Sequence, residues 1–142
     1  RPDKEDGIRR SQRLLLTWLI ETPALFEKIE GVITADDFVE DLYHQVAQMV
    51  FDGHREGNLN PAAILSRFIN DEDQYKEVAA LFNASLKESL NNEEQKKAFS
   101  ETVMKVRKNS LDVASRNAKD ITQLQEIIRQ QAALKQLHIS LD

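Results

Sequence analysis

The residues of this chain best suited to metal or acid–base chemistry are three histidines, His44, His54 and His138, and three acidic groups. The acidic groups are Asp36-Asp37, Glu40-Asp41 and Asp71-Glu72-Asp73. A zinc centre needs three or four converging ligands, and the histidines show neither HxxxH nor HExxH spacing. Asp36-Asp37 and Asp71-Glu72-Asp73 stand where helix N-termini favour anions, so capping accounts for them. The competing reading is a carboxylate-dependent hydrolase that uses Asp36, Asp37 or Asp41. No GxSxG elbow is present, and the four glycines never form a phosphate loop ahead of a Lys-Ser or Lys-Thr pair. Cysteine is absent, which excludes disulfides and thiolate metal sites. The expectation is a chain with no catalytic site, no metal and no cofactor of its own.

What remains is a scaffold that must present a surface. Its 142 residues can bury a core without staples. Four glycines and three prolines are too few for a turn-rich sandwich or barrel. The longest apolar run, Leu14 to Ile20, already interrupted by Thr17, falls far short of the roughly 18 residues that span a bilayer. No signal-peptide pattern opens the chain, and the lack of cysteine suits a reducing cytoplasm. The start, Arg1-Pro2-Asp3-Lys4-Glu5-Asp6, is charged and without an initiating methionine, and reads as an internal point of a longer protein. Residues 1–92 hold 10 Lys and Arg against 17 Asp and Glu, a net −7; residues 93–142 hold 9 against 7, a net +2. An acidic body with a mildly basic tail lacks the concentrated basic face of a duplex-DNA binder. The asymmetry places a boundary near residue 92.

Apolar spacing predicts helices throughout and sustained period-two alternation nowhere, so the fold class is all-α. Gly7 to Glu21 forms a first helix whose wide apolar arc, Leu14 to Leu16 with Trp18, Leu19 and Ile20, makes it central. Thr22-Pro23 caps a short helix to Lys28, and Thr34 opens a helix from Ala35 to about Phe51, ended by Gly53 or Gly57. Asn60-Pro61 and Asn70-Asp71 begin two more. Residues 83–92 are a polar joint that Leu86 and Leu90 could extend as helix. Nothing then stops a long helix from Glu93 to about Asn117, and Asp120 starts another to about His138. The expected architecture is a helical bundle body of about six helices, counting the long one, followed by a C-terminal antiparallel hairpin; the expected domains are a globular helical subdomain at 1–92 and the long helix with its hairpin at 93–142.

The closing helix carries Ile121, Leu124, Ile127, Ile128, Leu134 and Leu137 over more than half of its circumference, wider than one neighbouring helix covers. Exposed contiguous apolar surface marks binding sites. Two readings stay open: a partner covers this surface, or the tail folds back on the body. The basic tail residues, Lys96, Lys97, Lys105, Arg107, Lys108, Arg116, Lys119, Arg129 and Lys135, are interleaved with acids and read as a solvated face; the alternative is a weak nucleic-acid-binding accessory domain.

Four stretches carry a resemblance. Arg10-Ser-Gln-Arg-Leu-Leu-Leu-Thr-Trp-Leu-Ile-Glu-Thr-Pro resembles the opening helix of the C-terminal, helicase-binding domain of bacterial DnaG-type primases. Ile33-Thr-Ala-Asp-Asp-Phe-Val-Glu-Asp-Leu-Tyr with Met49-Val-Phe-Asp-Gly-His-Arg-Glu-Gly is similar to that domain's third helix and glycine turn, and Asn60-Pro-Ala-Ala-Ile-Leu-Ser-Arg-Phe resembles its fourth. The likeness covers the whole chain as a helix pattern, with motifs looser than a metal signature. The N-terminal domain of DnaB-type helicases shares these landmarks and is the alternative origin. The resemblance implies a non-catalytic module of a primase, itself a nucleotidyltransferase, that docks on the N-terminal collar of the hexameric DnaB-type helicase during DNA replication. Zinc-ribbon and polymerase domains of that family lie upstream. Carried onto this sequence, the partner-binding residues are Leu111, Ile121, Leu124, Ile127, Ile128, Leu134 and Leu137, with Arg116 and Lys119 steering beside the turn. No membrane partner is expected, direct nucleic-acid binding is weak or absent, and a domain-swapped dimer is a further option for exposed helical surface.

Overall fold

The computed structural model describes residues 2–84, 86 and 91–139, with side chains from Gly7 onward. Among them the fold is all-helical, without a strand. Six α-helices follow in order: α1 Pro2–Glu21, α2 Asp41–Arg55, α3 Pro61–Ser66, α4 Glu72–Asn83, α5 Asn92–Arg116 and α6 Ile121–Leu134. Two 3₁₀ helices, Pro23–Ile29 and Ala35–Asp37, lie between α1 and α2.

Helix α1 is the axis, as its wide apolar arc requires. Leu15, Leu16, Trp18 and Leu19 are all buried, and α5, α4, α2 and the first 3₁₀ helix pack around them. The helix begins at Pro2 rather than Gly7. Proline fits a first helical position, and the acids that follow in the sequence suit the positive end of the helix dipole. Thr22 does not act as the expected cap; its hydroxyl is buried and has no partner among the described residues.

The helix expected from Ala35 to Phe51 is split. Thr34 and Asp37 form a reciprocal capping box around the Ala35–Asp37 turn. The backbone then extends, which sends Phe38 fully into the core. The buried Gln12 side chain accepts the Glu40 N–H at 3.0 Å, so an α1 residue helps to set where α2 starts. Core burial of Phe38 overrides the local helix pattern.

Helix α2 ends in a Schellman arrangement: Asn58 N–H bonds to the Gly53 carbonyl at 2.7 Å and Gly57 N–H to that of His54 at 3.1 Å. Gly57 sits at φ +70°, the left-handed position this motif demands. The caps of α3 and α4 are as expected: Asn60 accepts from Ala63 N–H and Asp71 from Gln74 N–H.

The first half of α5 belongs to the body. Phe99, Val103 and Val106 join Leu15, Leu16, Trp18 and Leu19 in one core, and Trp18 meets Phe99 edge-to-face at 6.0 Å. The composition shift at residue 92 therefore does not divide the hydrophobic core, which runs across it. Leu90 and half of the joint, residues 85 and 87–90, lie outside the described residues; Leu86 is partly buried, and its N–H bonds to Glu21 at 2.9 Å.

Candidate docking face on the terminal helix

Two interactions position α6. Asp120 caps it by accepting from Gln123 N–H at 2.8 Å, while the Gln123 side chain accepts Lys119 N–H at 2.9 Å, which fixes the turn after α5. Helix α6 then lies beside the second half of α5, where Gln131 donates to Asp112 at 3.1 Å and Arg107 donates to Gln130 at 3.2 Å. It ends at Leu134, about a turn before the expected His138. Tight i to i+3 bonds at Gln136 and Leu137 close it, and beyond them Ile139 packs against the body core.

No residue of α6 is buried. Ile121 is 71% exposed and Ile128 52%; spaced i, i+7 they fall on one face, with half-buried Leu124 on its shoulder. Ile127, Leu134 and Leu137 are half-buried, and Arg116 and Lys119 are exposed at the turn. Leu111 departs from the expected outward set. It is only 3% exposed, and it lies one turn beyond Arg107 on the side of α5 that meets α6. The proposed surface thus sorts into an open stripe, a half-covered flank, and one position that is core.

The outer charges of α6 are paired with each other. Arg129 holds Glu126 in an i, i+3 ion pair, and Gln130 donates to the same carboxylate at 2.9 Å. The Arg129 hydrogen bond, then that of Gln130, keeps the Glu126 carboxyl below its ordinary range. Arg107, read from sequence as part of a solvated face, is instead ion-paired to buried Asp37 at 2.8 Å. Asp37 uses its other oxygen on the Thr34 N–H at 2.8 Å, so this carboxylate is committed to structure. Sequence reasoning could not find the Asp37–Arg107 pair, because its members are 70 residues apart and neither carries a local signal.

Elsewhere the polar chemistry also ties elements together. Arg9 bridges Glu40 and Glu77 and lies over the Tyr43 ring, 4.8 Å from its centroid. Tyr43 donates to Glu77 at 3.0 Å. Burial, then the hydrogen bond and charge of Glu77, push the Tyr43 phenol up to about 12. His44 Nδ1 lies 3.1 Å from the Ala35 carbonyl and His54 stacks on Phe26 at 4.0 Å. Among the described residues no three His, Cys, Asp or Glu side chains gather as a metal site. No described helix is long and apolar enough to cross a membrane.

The chain matches no protein-family model, no curated protein and no solved structure.

Proposed function

We propose that this chain is a protein-docking module whose contact surface is the open face of α6. Following its resemblance to DnaG-type primases, the partner is the N-terminal domain of a hexameric DnaB-type helicase, and the role is recruitment of primase to the replication fork. One observation carries the docking reading: α6 buries none of its residues and leaves Ile121 and Ile128 open on a single face, while every other α-helix of more than six residues places side chains in the core. Exposed apolar surface of this kind gains free energy when a partner removes it from water.

The nucleic-acid reading has less support. Arg107, Lys108 and Arg129 are held by Asp37, Asp112 and Glu126, so these three cations of the tail face carboxylates of this same chain. Phosphate tracking needs cations that can exchange counterions for phosphate.

Gel filtration of the chain with the hexameric helicase should give a co-eluting complex. Ile121→Asp and Ile128→Asp should each weaken it at least about tenfold, since fully burying an isoleucine is worth about 1.5–3 kcal/mol and the acid reverses that gain. Helicity should be unchanged in both. Separate elution of the unmodified chain at tens of micromolar would remove the helicase as partner.

A further inference from the structure

The second half of α5 is where body and arm meet, and one side chain touches both. The Arg107 guanidinium is split: Nη1 donates to buried Asp37 of the second 3₁₀ helix at 2.8 Å, and Nη2 donates to Gln130 of α6 at 3.2 Å. The planar guanidinium holds its donors in a fixed fork, whereas a lysine ammonium is a compact point charge on a flexible stem and does not fix the angle between two acceptors in the same way. Asp37 is itself fixed by the Thr34 N–H. The chain of contacts therefore runs from a capped turn of the body, through a half-buried arginine, to the middle of α6. Around it lies a gap of about 290 Å³ between the Gly31-Val32 loop and the last turns of α6, lined by Arg107, Gln130, Ala133, Leu134 and Leu137. Close packing does not fill the space between α6 and the body there, so at this point the polar contacts of Arg107 bridge the two.

We propose that Arg107 is a positioning residue: by holding Asp37 and Gln130 together it sets the angle of α6 against the body, and so where the Ile121–Ile128 face is presented. The consequence for binding rests on the docking reading above; the consequence for the arm does not.

The absence of cysteine allows clean spin labelling at Gln48→Cys on α2 and Gln125→Cys on α6, both exposed positions. Pulsed dipolar spectroscopy on the free protein should show one narrow distance distribution. Gln130→Ala removes the arm's half of the contact, together with the exposed Gln130–Glu126 hydrogen bond; it should broaden that distribution while leaving the melting temperature nearly unchanged. Arg107→Lys, which keeps a cation beside Asp37, should broaden it as well, whereas a purely structural cation would be rescued by lysine. Affinity for the helicase should fall about threefold to tenfold in both variants, the range one such hydrogen bond supports. A distribution as narrow as that of the unmodified chain in both variants would overturn the inference. Broadening in a protein that does not bind the helicase would uphold it and remove the helicase as partner instead.

Discussion

The body and the terminal helix are both rich in leucine and isoleucine, yet they spend them differently. Helix α1 hides Leu15, Leu16, Trp18 and Leu19 at once because α5, α4 and α2 surround it. Helix α6 has a comparable apolar set and one main neighbour, α5, so Ile121 and Ile128 stay in water. An apolar arc read from sequence thus reports how many neighbours a helix wants. Only the fold reports how many it has.

The sharpest test of that contrast is a matched pair of truncations. Leu19→Ala in the body should cost about 2–5 kcal/mol of stability, through lost burial and a cavity in a packed core. Ile128→Ala on α6 should stay within about 0.5 kcal/mol, as surface changes do. Thermal or denaturant unfolding of the two variants measures the difference, and equal costs would mean that α6 is covered in solution.

Next in size is the link between the regions. Asp37→Ala removes a buried carboxylate and leaves Arg107 without its ion-pair partner, and should cost about 2–4 kcal/mol by the same measurement. A loss under about 0.5 kcal/mol would mean the pair adds nothing to joining body and arm.

The smallest effect near neutrality, and the most diagnostic at high pH, concerns titration. The Tyr43 phenol is raised by burial and by Glu77 to about 12 from its ordinary 10, so the folded state holds that proton more tightly than the unfolded state. Its contribution to stability is complete below pH 10 and is lost as pH rises toward 12. Ultraviolet titration should show Tyr43 ionising about two pH units above a free tyrosine, and Glu77→Gln should bring it down. On α6 the displaced group is Glu126, moved by surface hydrogen bonds to Arg129 and Gln130. Added salt should relax Glu126 and leave Tyr43 nearly unmoved, because screening reaches exposed pairs first.

Local signals made much of the fold legible. Asn60-Pro61, Asn70-Asp71 and Asp120 each cap the helix that the sequence placed after them, because an Asx side chain bonding a nearby N–H needs no tertiary help. Thr22 carried the same kind of signal and failed, its hydroxyl buried without a bond. The break at Phe38 was illegible, since helix periodicity continues through it and only a core vacancy draws that ring inward. In the candidate site, Ile121 and Ile128 were readable from spacing, whereas Leu111 was misplaced: whether α6 covers that side of α5 depends on the turn between them. Arg107 and Gln130 left no trace in the pattern, because each gains its role from a contact distant in sequence.

Helix α5 gives the molecule a mechanical property. Its 25 residues make a rod about 37 Å long, clamped at one end by Phe99, Val103 and Val106 and carrying α6 at the other. A tug on α6 along this rod is resisted by side chains that would have to slide out of the interior. Strain applied at the tip is thus passed through the turn at residues 117–120 and borne at the root.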